Sequence, residues 1–576
     1  MLRCIREHDL RVCRSLDGRW DFQPVDEDTC GSPPRDFNDA LYVPGAWETH
    51  PRCANYRGIA WYRRRIRTPA GNLRLVFGGI SHVAVVYLDG QYLGEHHDAY
   101  TPFALVAPNV AAGAHVLDVR VDNRLGGSAP LHIANDYYTY GGITRSVEQQ
   151  IVPDVFIERI ESTPTRHGEG WNLDLRVVLQ NLASAPQTRE LVVLLPGVAE
   201  ARRVVEVAGS AVETVEISLD ALPVSSWSHE TPALYGLEVA IREDGGCVDD
   251  LRDRIGFREV RVEDGRLLLN GRPIRLKGFN RHEEHPAFGC ALPVPAMVQD
   301  LELARAMGAN FIRTSHYPND MRFLDLCDEM GFYVWEEAHA RNVDVFHPRF
   351  RECMEASVRE MIAWHRNRPG IIIWGCLNEC ESDTPEGREE YRFTIDLIRT
   401  LDSSRPVTFA SNRGERDLCF DLVDIVSMNP YYGWYTGSID EVEERAAHRI
   451  AWARSSDSGG TGKPVIISEC GAGAHYGERQ MDRRPWSEEY QADVLDENLR
   501  VYLHHPHVCG VAIWQFCDTR VTEGCERTTG TAWWRKRPRS MNNKGILDEY
   551  RRPKLAYETV RKRFAEAGGP RPEHRD

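Results

Sequence analysis

The chain has 576 residues, of which 42% are apolar and 27% charged, with a formal net charge of -16 at pH 7 and a mean hydropathy of -0.45. This length exceeds what one hydrophobic core supports, so we expect three or four globular domains and neither a fibre nor a disordered chain. The acidic balance argues against nucleic acid or an anionic membrane surface as the principal partner, although local cations can still bind an anionic small substrate.

The N-terminus carries no apolar h-region, and no run of 18 apolar residues follows it. These features predict a cytoplasmic protein without a membrane span. The fifteen cysteines are scattered without paired spacing. That pattern is typical of a reduced compartment and not of a disulfide framework.

Residues 1–152 and 153–260 are rich in short β-type runs. In the first region, Leu73 to Leu88 leads into Asp89-Gly90, a dipeptide suited to a type I′ hairpin. We predict a jelly-roll-like β-sandwich there. In the second region, Trp171-Asn-Leu-Asp-Leu-Arg-Val-Val-Leu alternates apolar with polar residues, which predicts an immunoglobulin-like β-sandwich.

Residues 261–576 change to alternating strands and helices. Helical spacing before Gly308 and before Gly331 places each glycine as a helix C-cap. Eight such units in about 300 residues predict a (β/α)8 TIM barrel, with its active site at the carboxyl ends of the strands. The eight strand candidates are Ile274–His282, Asn310–Pro318, Phe332–Ala338, Ile371–Glu379, Pro406–Ser411, Asp424–Tyr432, Pro464–Gly471 and Val508–Asp518.

Two carboxylates close predicted strands. Asn378 and Glu379 end the fourth strand, and Glu469 ends the seventh. Strands four and seven lie on opposite sides of an eight-stranded mouth, so the carboxylates can face each other across a substrate. Glycoside cleavage needs such a pair, with one carboxylic acid for the leaving oxygen and one carboxylate on the other face of the sugar. At a separation of about 5–5.5 Å the second carboxylate attacks directly and configuration is retained.

The order of domains and several motifs resemble the β-galactosidase/β-glucuronidase family of glycoside hydrolases, family two. The resemblance covers nearly the whole chain. The motifs are Asn280-Arg-His-Glu, Asn310-Phe-Ile-Arg-Thr-Ser-His-Tyr-Pro, Asn378-Glu379, Asn429-Pro-Tyr-Tyr-Gly-Trp-Tyr, Ser468-Glu469 and Trp514-Gln-Phe.

The resemblance implies a retaining exo-glycosidase in which Glu379 is the acid/base and Glu469 the nucleophile. It further implies that Asn378 bonds the sugar 2-hydroxyl and that Tyr431 orients the nucleophile. His316, Tyr435 and Trp514 resemble pocket residues of the family, and Asp136 resembles an aspartate that the first sandwich sends into the barrel. No cofactor and no metal are implied, and family members are often homo-oligomers.

The stretch Asn542-Asn-Lys544 resembles the Asn-x-Lys motif by which β-glucuronidases hold the C6 carboxylate of a uronic acid. An ammonium with an amide donor forms charge-assisted hydrogen bonds to a carboxylate, whereas a neutral hydroxymethyl group would leave the ammonium unpaired. The resemblance therefore implies hydrolysis of terminal β-D-glucuronides. The alternative interpretation is that the same stretch is an ordinary surface loop with a solvated lysine.

Three positions depart from the family pattern and concern contacts to the sugar more than catalysis. Cys380 replaces a proline after the acid/base, and Asn135 replaces a histidine before the aspartate. An arginine expected before the Asn-x-Lys motif has no certain match among Arg535, Arg537 and Arg539. The segment after Ala338 is also shorter than in glucuronidases that roof their site with a long loop, so we expect an open mouth that accepts large aglycones.

Other functions remain open at this stage. A β-galacturonidase also needs a carboxylate contact and differs only at the 4-hydroxyl. A magnesium-dependent β-galactosidase is disfavoured because Arg341 and Val343 stand where its metal ligands would fall. A non-catalytic carbohydrate-binding protein is disfavoured because both glutamates are present.

Two further clusters favour ordinary structural roles. Cys376, Cys380 and Cys470 could bind zinc or act as nucleophiles, but no CxxC pair or matched histidine supports this, so we interpret them as buried small side chains. The aromatic and basic stretch from Trp533 to Arg539 could bind RNA, but on an acidic chain it is better interpreted as the edge of the substrate loop. We interpret His96-His97 as surface residues beside a hairpin.

Overall fold

The structure is a computed structural model that describes residues 7–25, 31–522 and 537–568. It has two β-sandwiches followed by a closed eight-stranded parallel barrel. The predicted fold class, a jelly-roll-like sandwich, an immunoglobulin-like sandwich and a TIM barrel, is confirmed. Within the described ranges no helix is long and apolar enough to cross a membrane.

The first sandwich packs a four-stranded sheet against a six-stranded sheet around buried aromatic and aliphatic side chains. Asp89 and Gly90 have φ angles of 51° and 78°, as a type I′ hairpin requires. The four-stranded sheet has the order Val12–Ser15, Val147–Val152, Gly71–Phe77 and Phe103–Val110. The six-stranded sheet has the order Asp39–Val43, Gly18–Val25, Ile59–Thr68, Gly113–Asp122, Val83–Leu88 and Gln91–His96; Ile80–Ser81 pairs separately with Gly142–Ile143.

The second sandwich has a three-stranded and a four-stranded antiparallel sheet. In strand Gly170–Asn181, Trp171, Leu173 and Leu175 are buried in alternation with more exposed residues, as the sequence pattern predicts. The sheets are Val155–His167, Gly170–Asn181 and Val212–Leu222, and Ala199–Val207, Gln187–Leu195, Tyr235–Glu243 and Gly246–Ile255. A small sheet of Val260–Glu263, Arg266–Leu269 and Arg272–Pro273 leads into the barrel.

The barrel closes because its first strand pairs with its eighth, Leu276 lying opposite Gly510. The strands are Leu276–Asn280, Phe311–Arg313, Tyr333–Glu337, Ile371–Asn378, Val407–Ser411, Val426–Met428, Val465–Cys470 and Val508–Ile513. All eight predicted strands are therefore present, and each is shorter than predicted. Their ends, which the sequence pattern assigned to strands, lie in the loops that form the mouth.

Seven α-helices accompany the barrel strands within the described residues. The two predicted C-cap glycines, Gly308 and Gly331, have φ angles of 81° and 75°. The helices are Val294–Ala306, Met321–Met330, Phe350–His365, Pro385–Leu401, Val442–Ala453, Glu488–Tyr502 and Ala556–Glu566.

The first sandwich docks on the mouth of the barrel through buried contacts. Tyr100 stacks on Tyr317 with ring centroids 4.0 Å apart, and Arg145 forms an ion pair with Glu283 at 2.8 Å. His96 is buried and bonds to Glu360 of helix Phe350–His365 at 2.9 Å. The interpretation of His96 as a surface residue is therefore wrong, because a barrel helix covers that edge of the hairpin.

Candidate active site

Glu379 follows strand four of the barrel directly. All eight residues of that strand are buried, so its end is rigidly placed. Glu379 has a φ of 54°, a left-handed conformation that non-glycine residues seldom adopt and that is frequent at functional sites. Asn429 Nδ2 donates to Glu379 Oε1 at 2.9 Å, and Arg341 Nη2 lies 3.6 Å from Oε2. One amide and one cation therefore hold this carboxyl.

Glu469 lies within strand seven, across the mouth from Glu379. The Tyr431 hydroxyl donates to Glu469 Oε2 at 2.6 Å, and Arg313 Nη1 donates to Oε1 at 3.1 Å. Asn429 connects the two strand ends, because its oxygen accepts from Ser468 Oγ at 2.7 Å while its nitrogen donates to Glu379. The structure thus brings both glutamates, Tyr431 and Asn429 into one network.

The two glutamates influence each other's protonation. Burial, and after it the negative charge of Glu379, raises the pKa of Glu469 to about 8, against the opposing effects of Arg313, the Tyr431 hydroxyl and Arg341. Because neighbouring carboxylates disfavour double ionisation, the charge of Glu379 favours the protonated form of Glu469. An acid and a nucleophile acting together require one proton between two carboxyls.

Arg313 is the centre of the ion-pair network beneath the glutamates. Its guanidinium bonds to both oxygens of Glu337 at 3.0 Å, to Asn378 Oδ1 at 2.8 Å and to Asn280 Oδ1 at 2.9 Å, besides Glu469. We call Arg313, Glu337, Asn378 and Glu469 the catalytic floor. All four side chains are at most about 5% exposed, so water cannot substitute for a lost partner.

Four of the predicted sugar contacts each keep one buried polar atom without a hydrogen-bond partner among the described residues. They are Asn378 Nδ2, His316 Nε2, Trp514 Nε1 and Asn542 Oδ1. His316 bonds Glu337 through Nδ1 at 2.9 Å and stacks on Trp514 with centroids 5.1 Å apart. Buried polar groups are normally paired, so donors and acceptors gathered beside two carboxylates suit a hydroxyl-rich ligand.

A cluster of cations surrounds Asp136 at the edge of the site. Its carboxylate lies 3.1 Å from Arg341, 3.1 Å from Arg537 and 3.1 Å from Asn542 Nδ2. Lys544 Nζ donates to the Tyr435 hydroxyl at 2.7 Å. We call Asp136, Arg341, Tyr435, Arg537 and Lys544 the cationic rim. Its residues come from the first sandwich and from three separate loops of the barrel.

The cationic rim has more positive than negative charge. Burial alone would raise the pKa of Asp136, but Arg341, Arg537 and Lys544 lower it to about 2. Burial and the charge of Arg537 lower the pKa of Lys544. Lys544 is buried, and its hydrogen-bond partner among the described residues is the neutral Tyr435 hydroxyl, so an anionic group on a ligand would give the ammonium an ionic partner.

All ten predicted site residues lie at the mouth of the barrel, although Tyr435 is more than half exposed. Three further residues of the site received no role from the sequence: Arg313, Arg341 and Glu337. Of the three arginines considered before the Asn-x-Lys motif, Arg537 contacts Asp136, Arg539 lies near Glu549, and Arg535 falls outside the described residues. Trp533 and Trp534 also fall outside them.

One group of side chains within the described residues has the composition and spacing of a metal site. Asp98, His132 and His339 are buried with potential ligand atoms within 4.8 Å of one another. However, the Ala99 N–H donates to His132 Nε2 at 3.1 Å, which places the proton of that ring on Nδ1. If a metal bound Nδ1 of His132, the ring proton would have to move to Nε2, where it would face the Ala99 N–H. These three residues therefore fit a cation poorly.

The cysteines near the site are buried thiols. Burial raises the pKa of Cys376, Cys380 and Cys470. Cys376 and Cys380 donate weakly to the carbonyls of Thr408 and Asn378. Thiolates are the reactive and metal-binding form, and these surroundings suppress that form. The interpretation of the three residues as small buried side chains agrees with these contacts.

Matches to known families agree with the fold and the paired carboxylates. Residues 260–567 match "Glycosyl hydrolases family 2, TIM barrel domain", residues 13–153 match the sugar binding domain of that family, and residues 155–258 match "Glycosyl hydrolases family 2". Fold and site together define a glycoside hydrolase. The chain belongs to glycosyl hydrolases family 2.

Individual relatives cover nearly the whole chain. It is 27% identical to a β-glucuronidase of Streptococcus agalactiae, covering 92% of this chain and 91% of the relative. Among solved structures it resembles a β-galacturonidase from Eisenbergiella tayi, with 41% identity, a TM-score of 0.92 and complete coverage of both chains. A β-glucuronidase from Ruminococcus gnavus has 26% identity and a TM-score of 0.83, covering 97% of this chain and 98% of that one.

Proposed function

We propose that this chain is a retaining exo-glycosidase that hydrolyses terminal β-D-hexuronides. The observation that carries the proposal is the cationic rim beside the glutamate pair. Among the described residues Lys544 forms no ion pair and its ammonium donates to the neutral Tyr435 hydroxyl, so the site favours a sugar that brings its own carboxylate. A neutral hexose would leave the Lys544 ammonium without an anionic partner in a buried place.

The proposed mechanism uses both carboxyls of the pair. Glu379 protonates the glycosidic oxygen as its bond to C1 breaks, and Glu469 attacks C1 from the other face to form a glycosyl ester. This step needs the carboxylate form of Glu469, which Arg313 and the Tyr431 hydroxyl favour against the effects of burial and of Glu379. Glu379 then accepts a proton from the water that hydrolyses the ester. The Asn378 amide, whose Nδ2 has no protein partner, donates to a sugar hydroxyl.

Two hexuronic acids fit this chemistry, and they differ only at the 4-hydroxyl. The resemblance in sequence motifs implies a glucuronide, and the curated relative quoted above is a β-glucuronidase at 27% identity. The 41% identity to the Eisenbergiella tayi β-galacturonidase over the full length favours a galacturonide. We propose β-galacturonides as the better substrates and β-glucuronides as the second candidate.

The test compares kcat/KM of the purified enzyme on nitrophenyl β-galacturonide, β-glucuronide and β-galactoside. We expect both acid sugars to exceed the neutral one by at least about 100-fold, as charge-assisted hydrogen bonds to a buried carboxylate allow. The α-anomer of the better substrate is the control and should not react. Equal rates on the acid and neutral sugars would contradict the role of the cationic rim. A faster reaction on the glucuronide would reverse our order of the two acids.

A further inference from the structure

A cavity of about 990 Å³ opens from Glu379 toward the outside of the barrel. Its walls come from the loops after strands five and six and from helix Val442–Ala453. Glu379 and Arg341 lie at its inner end. The cavity shares Arg341, Tyr431 and Tyr435 with the site of the reacting sugar, but neither Lys544 nor Trp514 lines it, and it continues beyond that site to helix Val442–Ala453.

The position of the cavity assigns it to the leaving group. In a retaining glycosidase the acid/base lies beside the glycosidic oxygen, on the side from which the leaving group departs. Glu379 lines this cavity and Glu469 does not. On the proposed mechanism, the leaving group of the substrate, which departs with the glycosidic oxygen, therefore extends into this cavity.

The size and walls of the cavity suit a carbohydrate. Pockets of about 300–1,000 Å³ hold ligands well beyond one small ring, and this cavity lies at the upper end of that range. Ser411, Asn412 and Thr436 offer hydrogen bonds from its walls, and Tyr431 and Tyr432 offer aromatic faces. Hydroxyl-rich rings use both kinds of contact.

Some charged residues in the walls of the cavity have an ionic partner, and others do not. Arg445 forms an ion pair with Glu441 at 2.5 Å, and His448 lies 3.3 Å from Glu415. Glu444 is exposed on the same helix. Arg449 stands apart from these pairs.

Arg449 has no ion pair or hydrogen bond to any described residue. Its guanidinium lies over the ring of Trp452, 4.8 Å from the centroid. Burial lowers its pKa, and the charges of Tyr432, Asp417 and Glu415 oppose this effect. A half-buried guanidinium that lines a cavity and forms no ion pair with a described residue is well placed to bind an anion, since it offers a planar pair of donors.

We infer that this cavity binds the leaving group as an acidic carbohydrate, whose carboxylate pairs with Arg449. The inference rests on the proposed function, because it requires Glu379 to act as the acid. The sequence predicts only an open mouth that accepts large aglycones. The inference adds the chemistry of the leaving group and the residue that selects it.

The experiment uses two disaccharides that share the hexuronosyl unit preferred in the nitrophenyl comparison. In one the leaving residue is a hexuronic acid, and in the other it is the matching neutral hexose. We expect wild-type enzyme to prefer the acidic leaving residue in kcat/KM. Arg449→Gln should lower kcat/KM for that disaccharide about 10- to 100-fold, as loss of a charge-assisted hydrogen bond predicts. The nitrophenyl hexuronide, which lacks a carboxylate on that side, should change less than about twofold.

Arg445→Gln is the matched control, because Arg445 lines the same cavity from the same helix but is already paired with Glu441. It should affect both disaccharides equally. Normal nitrophenyl activity shows that each variant is folded. The inference is overturned if wild type does not distinguish the two disaccharides, or if Arg449→Gln weakens both alike.

Binding measurements separate this inference from the proposed function. Calorimetric titration of the inactive Glu469→Gln variant with both disaccharides, with and without Arg449→Gln, needs no turnover. If the nitrophenyl hexuronides are hydrolysed but the acidic disaccharide binds no better than the neutral one, the inference fails and the proposed function stands. If no hexuronide is hydrolysed, the proposed function fails, and an Arg449-dependent preference in binding would still support an acidic ligand in the cavity.

Discussion

The catalytic floor and the cationic rim are built differently, although they border the same site. In the floor, Arg313 neutralises Glu337 and contacts Glu469, and every member comes from a buried barrel strand. In the rim, Asp136 from the first sandwich meets cations from the barrel, and the Lys544 ammonium donates to the neutral Tyr435 hydroxyl. The charges of the floor have ionic partners before a substrate arrives, whereas Lys544 gains one only with an anion.

This difference separates chemistry from selection. The buried floor holds the Glu469 carboxyl in place, so changes there affect every glycoside alike. The rim acts on one substituent of the sugar, so changes there alter which sugar reacts. The three predictions that follow test this division, beginning with the largest effect.

Removing either glutamate should abolish or strongly reduce hydrolysis, with a different dependence on the leaving group. We expect Glu469→Ala to lose at least about 10⁴-fold in kcat on every glycoside, because no covalent intermediate can form. Glu379→Ala should lose about 10²- to 10⁴-fold on leaving groups that need a proton. On dinitrophenyl glycosides, which leave without protonation, it should lose less than about tenfold.

The measurement is kcat for a series of aryl hexuronides of falling leaving-group pKa. Glu386→Ala, an exposed carboxylate in helix Pro385–Leu401, is the control and should match wild type. If Glu469→Ala retains more than about 1% of the wild-type rate, the nucleophile is another residue. If Glu379→Ala loses the same factor on every leaving group, Glu379 is not the acid.

The catalytic floor was easier to predict from the sequence than the cationic rim. Strand four is a continuous apolar run that ends in Asn378 and Glu379, and counting strands places Glu469 opposite. The rim depends on contacts that no local pattern contains: Asn542 bonds to Asp136 across 406 residues of sequence. Arg341 was noted only as a departure from a metal site, because its contact with Asp136 exists only once the first sandwich has docked on the barrel. The burial of His96 was missed for the same reason.

Replacing the ammonium of the rim should change the choice of sugar and spare the chemistry. We expect Lys544→Ala to lower kcat/KM for nitrophenyl hexuronides about 10- to 150-fold, the range of a lost charge-assisted hydrogen bond. The rate on the neutral β-galactoside should stay within about twofold of wild type, because no carboxylate contact is lost. The ratio of the two rates is the quantity to measure.

Lys562→Ala, an exposed lysine in helix Ala556–Glu566, serves as the matched control for this prediction. It should leave both rates unchanged. An equal loss on acid and neutral sugars in Lys544→Ala would mean that Lys544 supports the fold of the site and does not select the substrate.

The smallest predicted effect is a pH dependence of stability that arises in the floor. The folded pKa of Glu469 is about 8, raised from an unfolded value of 4.5. A raised pKa means that the folded state binds the proton more tightly, so this contribution to stability is complete below the unfolded value and is lost as pH rises toward 8. The glutamine of Glu469→Gln cannot ionise, so this variant does not lose that stability as the pH rises. Its stability relative to wild type should therefore increase between pH 5 and pH 8.5, by at most about 4 kcal/mol.

The melting temperature of Glu469→Gln, relative to that of wild type, should therefore be a few degrees higher at pH 8.5 than at pH 5. Comparing the difference in melting temperature at pH 5 with that at pH 8.5 cancels the constant effect of the lost contacts to Arg313 and Tyr431. Glu386→Gln should show no such change, because its carboxylate is exposed. A constant difference for Glu469→Gln would show that the pair is already fully ionised at neutral pH. In that case the floor would carry an excess of negative charge in the free enzyme.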